Sequence, residues 1–571
     1  MNGLRNRALI WTFSAMALAV AMGGLRAPMQ AATFTVVFWA LALFAGDGVD
    51  FRRGGLWTAL AAWSLLAALM NPSAGPAAFA ASSKFWVGAA FFACAAAAPG
   101  FARAAGLFAA LAGAAGAAAV YYQLLAGLPL AGILPPNPNY TAALSGAGAV
   151  FLAVAGGKAS GRARWLSWGA AALIFGAVAA LNSRGAVLAA WGSLVWALFS
   201  SGKNRAAIAA LLAPLLLAAL LPREQLYYFL KLGDPNAYRR LDIWASAVSA
   251  FAARPVAGWG PGGFSQVFEV FKFPAFNGIS FFGHSTPHAH SEPLQLLAET
   301  GLPGAALYLG AFWLSFRRAS AKAPAAAALF LFLHSLVDGI FYAWGLQLLM
   351  LAFLAGAAGA ASIAEAPGPS RPPSAPEELR SRAVRLLPVL AAAMLAAFAW
   401  QWMHRHARDS ACLRSPDLAP ASRLECAARA LRFSPRSEVL QLSRAEALAE
   451  WTGSAAAGAA AAEAGLEELP FSARLNFRAA GFYASAGAAG KAEEKLRRAL
   501  YLEPNFTRAR LALAGLLSAS GRKAAASAER SAAAASAALA PAAESAYDRS
   551  LAEAPPELWK KTGETTASTR E

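Results

Sequence analysis

The chain has 571 residues, of which 58% are hydrophobic and only 14% charged, with 17 Trp, a balance that excludes an ordinary soluble enzyme and points to a polytopic membrane protein. Its 49 Lys and Arg against 31 Asp and Glu give a net charge of +18, but the charges fall mainly in short loops and the C-terminal part, so they follow membrane topology and exclude nucleic acid as a partner. Three cysteines without CxxC spacing exclude a cysteine-ligated metal site.

A helix needs roughly 20 apolar residues to cross the hydrocarbon. Such runs lie near 7–25, 30–46, 55–71, 84–100, 104–126, 140–156, 165–182, 185–200, 206–221, 301–316, 324–342, 344–363 and 386–403, which predicts an all-α bundle of about 12–13 spans. The first has the basic start of a signal peptide, but a second apolar run follows at once, so it reads as an uncleaved span. With Arg5 and Arg7 inside, the exits of the even-numbered spans carry Arg52 and Arg53, Arg103, Lys158 with Arg162 and Arg164, and Lys203 with Arg205. The odd exits are nearly bare apart from Arg26, Lys84 and Arg184. By the positive-inside rule the ninth span ends outside, which places a large loop, 222–300, in the periplasm or cell exterior.

Residues 1–363 thus form a membrane domain, 364–385 a Pro-rich cytoplasmic linker and 386–403 the last span, which returns the chain to the outer side. Residues 405–551 change to Ala, Arg, Glu and Leu at helical spacing, and Pro435, Pro470 and Pro504 recur in similar contexts. A period of about 34 residues with Pro between paired helices is the tetratricopeptide pattern, an α-solenoid that offers a surface to a protein partner. Residues 552–571 read as frayed or disordered. Cys412 and Cys426, on the oxidising side, can bond or remain as buried thiols.

The outer loop holds the chemistry. An amphipathic helix is predicted from about Tyr238 to Ala253, with Arg239 and Arg240 in its first turn. These arginines either snorkel to lipid phosphates or clamp a substrate phosphate bidentately. Gly258 and Gly260 in GWGPGG allow a tight backbone beside a ligand. His288 and His290 are candidates for metal ligation, for a plain surface role, or for a base that takes a proton from an attacking hydroxyl. Glu299 follows on the helix leading to the next span. Asn137 and Asn139 close an uncharged outer loop, and Arg184 sits at a short outer turn, where an ionisable group is costly and so points to a role or to snorkelling. His334 and Asp338, four apart, are expected on one helix face, where they either orient the site or neutralise each other.

The segments NPNYTAA, NSRGA, RLDIW, ARPVAGWGPGGF, PHAHSEPLQLLAETGLPG and HSLVD, taken in order, make residues 1–363 resemble the O-antigen ligase and O-antigen polymerase superfamily of bacterial membrane glycosyltransferases. The resemblance implies transfer of a glycan from undecaprenyl diphosphate to an acceptor hydroxyl at the outer face of the inner membrane, without metal or other cofactor. It places the diphosphate on Arg184 and Arg240, with Arg239 beside them, and makes His290 the base. Ser291 stands where such proteins commonly have Asn, which opens the choice between His288 and His290. The acceptor implied for a ligase is lipid A core, for a polymerase another repeat unit, and for a protein O-oligosaccharyltransferase a Ser or Thr. A non-catalytic membrane scaffold acting through its repeats is the alternative of another class.

Overall fold

The computed structural model describes residues 14–19, 21–22, 24, 28–44, 49–71, 75–97, 101–134, 137–220, 222–230, 239–274, 278–362, 375–413, 418–543 and 545–561. Among them every regular element is helical. The basic start of the chain, most of the expected first span, Tyr238, residues 364–374 and residues 562–571 lie outside the described residues.

The apolar helices of the membrane domain follow the hydropathy pattern closely. They are α1 (Pro28–Phe44), α2 (Leu56–Met70), α3 (Gly75–Ala97), α4 (Phe101–Leu125), α5 (Pro138–Gly156), α6 (Gly161–Ala180), α7 (Arg184–Ser200) and α8 (Asn204–Leu220). The outer region holds α9 (Arg223–Leu230), α10 (Arg239–Ala253) and α11 (Phe264–Phe271), after which α12 (Glu292–Arg317), α13 (Lys322–Ser335) and α14 (Trp344–Ser362) return to the bundle. Among the described residues five helices are long and apolar enough to cross a membrane, from Ala77–Ala97 to Leu386–Cys412, and shorter apolar helices such as Arg184–Ser200 pack with them. The chain is a multi-pass membrane protein.

Helix α14 runs through the middle of the bundle, where Leu348 to Ala355 are all buried. Around it pack Phe91, Phe330, Phe341 and Tyr308. Large apolar side chains such as Leu107, Leu111, Trp165 and Leu173 are exposed on the outer helices, as a lipid-facing surface requires. Small residues permit a close crossing. A Cβ on Gly148 would lie 2.3 Å from the Ala109 carbonyl oxygen, so α4 and α5 approach backbone to backbone.

Helix α12 is broken at Gly301, whose φ of 69° and ψ of −173° no side-chain-bearing residue adopts readily. The part before the break, 292–300, belongs to the outer region, and the part after it enters the bundle.

Two expectations need correction. The expected eleventh span, 324–342, is helical only to Ser335; the chain then turns, and a 3-10 helix spans Ile340–Tyr342. The second half of the expected linker, 375–385, is not a loop but the start of α15 (Ala375–Cys412), because its Glu, Leu, Arg and Ala residues favour helix and propagate one already formed.

The C-terminal region is a chain of helices, each packed on the next: α16 (Pro420–Leu431), α17 (Glu438–Thr452), α18 (Ala455–Glu468), α19 (Ala473–Ser485), α20 (Ala489–Leu502), α21 (Thr507–Ala519) and α22 (Lys523–Ala537). Pro435, Pro470 and Pro504 each stand three residues before the first residue of α17, α19 and α21. A disulfide joins Cys412 to Cys426, which ties the end of α15 to α16. Beyond it, α23 (Ala546–Ala552) and α24 (Pro556–Lys561) pack on α21, so one stretch of the expected frayed tail, Pro556–Lys561, is helical.

Candidate functional site

The outer region closes on a single carboxylate. Asp338 is 2% exposed, and it lies in the turn beyond α13 rather than on a helix face. Its side chain therefore does not pair along a helix with His334, contrary to the expectation from their spacing. Among the described residues neither ring nitrogen of His334 has a hydrogen-bond partner, and the Asp338 amide donates to the His334 carbonyl at 3.1 Å.

Four groups converge on this carboxylate. The Gly339 amide donates to Oδ1 at 2.8 Å, and His290 Nδ1 lies 3.2 Å from the same oxygen. Arg240 Nη2 donates to Oδ2 at 2.9 Å, while its Nη1 donates to the Val337 carbonyl at 2.8 Å. Asn139 Nδ2 also donates to Oδ2. Burial pushes the Asp338 carboxyl up, but His290 and Arg240 outweigh it and hold the group below the usual carboxylate range. The site thus keeps a fixed negative charge between an imidazole and a guanidinium.

Each partner is positioned by a local feature of the sequence. Pro138 opens α5, and the Asn137 side chain caps it by accepting the Asn139 amide at 2.9 Å. Asn137 therefore serves the helix end, and Asn139 in the first turn reaches the site. Arg240 occupies the first turn of α10. Its neighbour Arg239 also acts on His284: burial lowers the His284 imidazole to about 4, and Lys272 and Arg239 push in the same direction. Arg184 opens α7, and the adjacent Gly185 lies against His334 and Val337, with a Cβ there 3.1 Å from each. This start of α7 borders the turn that carries Asp338. His334 is wholly buried beneath that turn.

The histidines have different surroundings. His290 adopts φ 53°, a left-handed conformation that is uncommon outside glycine, and its side chain is 22% exposed. His288 is 8% exposed and stacks on Tyr342, with ring centroids 5.1 Å apart; neither of its ring nitrogens has a partner among the described residues. Burial, reinforced by neighbouring His290, lowers its imidazole to about 4, so His288 is neutral near neutral pH. The two rings lie 4.3 Å apart.

The glycine-rich turn packs its backbone on α12. The Trp259 and Gly260 amides donate to the carbonyls of Ala298 and Glu299 at 3.0 and 2.9 Å, and the Leu302 amide donates to the Pro255 carbonyl at 2.8 Å. A Cβ on Gly258 would meet the Glu299 carbonyl carbon at 2.4 Å. The glycines let the turn dock on the broken backbone of α12. Glu299 completes this joint, with its Oε1 accepting from the Phe264 amide at 3.1 Å and from Gln295 Nε2 at 2.7 Å. Burial raises the Glu299 carboxyl to about 7, while the Gly262 and Phe264 amides and Gln295 work against that rise. Gln295 Oε1 in turn accepts the Ala289 amide at 2.7 Å, so the joint reaches the residue between the two histidines.

Sequence reasoning missed Gln295, Tyr342 and the ion pair between Lys84 and Glu292 at 3.1 Å. Lys84 had a signal, since it breaks the charge parity of the outer loops. The other two had none.

Beside His288, a cavity of about 320 Å³ is walled by Ala31, Ala80, Ala399 and Met403 and reaches Lys84, Glu292 and Ser291. Among the described residues no three His, Cys, Asp or Glu side chains gather as metal ligands.

Residues 169–309 match the family model described as O-antigen ligase. The matched stretch contains Arg184, Arg239, Arg240, Gly258, Gly260, His288, His290 and Glu299. Asn137, Asn139, His334 and Asp338 lie outside it. No curated protein matches the chain.

Proposed function

We propose that the chain transfers a glycan from undecaprenyl diphosphate to an acceptor hydroxyl at the outer face of the bacterial inner membrane, as an O-antigen ligase with lipid A core as acceptor. The single observation that carries this reading is the shared carboxylate. Asp338 holds an imidazole suited to deprotonate a hydroxyl and a guanidinium suited to a phosphate in one cluster. The family match over 169–309 supports the same class of reaction.

In this mechanism the Nδ1–H of His290 donates to Asp338, which leaves Nε2 to take the acceptor proton and stabilises the imidazolium that forms. The acceptor oxygen attacks the anomeric carbon, the bond to the diphosphate oxygen breaks, and the configuration inverts. Arg240 and Arg184 neutralise the departing diphosphate, so no protein acid is required. Two N–H groups of Arg240 are committed to Val337 and Asp338, and a guanidinium carries five, so donors remain for a phosphate oxygen. His288, neutral and stacked on Tyr342, supports the His290 ring. The outer region and the C-terminal helices are read as periplasmic, and the helices as a tetratricopeptide-like solenoid, on the equal spacing of the three prolines before their helices.

Purified protein in lipid nanodiscs, given lipid-linked O-polysaccharide and lipid A core, tests the reading. His290→Ala is expected to lower transfer about 10²- to 10⁴-fold, and Arg240→Ala to weaken donor binding. Full transfer by His290→Ala, or a product with retained anomeric configuration, would sink it.

A further inference from the structure

The C-terminal helices hold part of the outer region as if it were a bound peptide. Glu503, fully buried after α20, accepts the amides of Phe281 and Phe282 at 2.9 and 3.2 Å. Ser280 donates its hydroxyl to Asp548 at 2.7 Å. The Phe282 ring stacks on Phe471, with centroids 4.9 Å apart and planes 5° from parallel. Gly283 lets Tyr547 approach, since a Cβ there would lie 2.4 Å from the Tyr547 ring. Residues 278–290 contain no helix or strand, so this grip supplies the hydrogen bonds that their own backbone lacks.

The grip encloses a cleft of about 790 Å³ between the outer region and the helices that follow α15. Serine and threonine hydroxyls line it from both walls, with Ser265, Ser285 and Thr286 on one and Ser437 and Ser443 on the other. Its charges cancel locally: Lys272 pairs with Glu269 at 2.7 Å, and Arg436, which faces it, pairs with Glu468 at 3.2 Å. Glu438 accepts from the Ser472 hydroxyl at 2.6 Å and pairs with Arg474 at 3.3 Å. A concave surface of hydroxyls with balanced charge offers many donors and acceptors and no net field, which suits a polyhydroxylated, uncharged ligand. The cleft shares Ser265, Gln266, Pro287 and Ser434 with the cavity that reaches His288. A chain lying in it therefore leads to the histidines. The second wall lies beyond residue 309, outside the stretch that matches the ligase family.

We infer that this cleft binds an uncharged oligosaccharide segment of a substrate, so that the C-terminal helices form half of a glycan-binding site. The inference rests on the transferase reading only for which substrate carries that glycan.

Binding is measured without turnover, on the full chain in nanodiscs, with two uncharged ligands: O-polysaccharide fragments freed of core, and the neutral outer part of the core oligosaccharide without O-chains. One of them is expected to bind; the first assigns the cleft to the donor chain, the second to the acceptor. Ser285→Trp and Ser443→Trp, from opposite walls, should weaken that binding at least tenfold. Ser285 is exposed, so its replacement fills the cleft without disturbing the core. Glu503→Ala should weaken binding as well, together with faster amide exchange at Phe281 and Phe282. Failure of both ligands to bind, or unchanged binding in both Trp variants, would overturn the inference. Glycan binding by a wild-type protein that performs no transfer would instead refute the transferase reading and leave the cleft standing.

Discussion

Replacing Asp338 by Asn tests the heart of the site, because it keeps the shape of the carboxylate and removes its charge. The wild-type side chain accepts from the Gly339 amide, Arg240 and Asn139 and faces His290 Nδ1. An Asn has one acceptor oxygen and one NH2 group, so whichever way it turns, a donor faces a donor. If Nδ1 of His290 loses its acceptor, the imidazole loses both its orientation and its preferred tautomer. His290 is also held at φ 53°, a conformation that costs on the order of 1 kcal/mol and needs a compensating contact. A hydrogen bond to a charged group contributes about 1.5–3 kcal/mol, which at 1.36 kcal/mol per tenfold corresponds to a rate loss of about 10- to 150-fold. The carboxyl pKa is depressed, so any stability that depends on its charge is present above the ordinary Asp range and lost only as pH falls below about 4. Asp338 itself therefore stays ionised at both pH 6 and pH 8. The assay is steady-state glycan transfer in nanodiscs, with kcat read at saturating donor and a thermal-shift control. A kcat within twofold of wild type in a folded variant would refute the coupling of Asp338 to the base.

Gly301→Ala should destabilise the membrane domain by roughly 3 kcal/mol or more, since its Cβ would lie 2.0 Å from the Val256 carbonyl oxygen at a φ of 69°; an unchanged melting temperature would remove the docking role given to the glycine-rich turn. Glu503 is buried with its carboxyl raised to about 7 from the ordinary 4.5, so the folded chain binds more protons than the unfolded one between these values, and stability should fall as pH rises through that window. The loss is on the order of 3 kcal/mol, and Glu299 shifts in the same direction. Glu503→Gln should remove about half of the fall in melting temperature between pH 5 and pH 8, and an identical slope in wild type and variant would refute the assignment.

Much of this protein follows from local patterns. Apolar runs located the helices of the bundle, the recurring prolines located the turns before α17, α19 and α21, and the glycines with His288 and His290 marked the outer region. These features are set within a few residues, by hydropathy, helix capping and backbone freedom, and so they survive in the linear text. What the histidine faces does not. Asp338 meets His290 across 48 residues, Arg240 across 98 and Asn139 across 199. The spacing of His334 and Asp338 suggested a pair on one helix, and it misled because α13 stops at Ser335 and the turn swings the carboxylate toward α10 and α5. In the same way, Gly258 was legible as a flexible position, but only the packed chain decides that it yields to the backbone of Glu299, and Gly301 to that of Val256. That the C-terminal region repeats helices at a period of about 34 residues was legible from sequence alone. That they grip Phe281 and Phe282 depends on unpaired amides finding a buried carboxylate more than 200 residues away, and no local period records such a meeting.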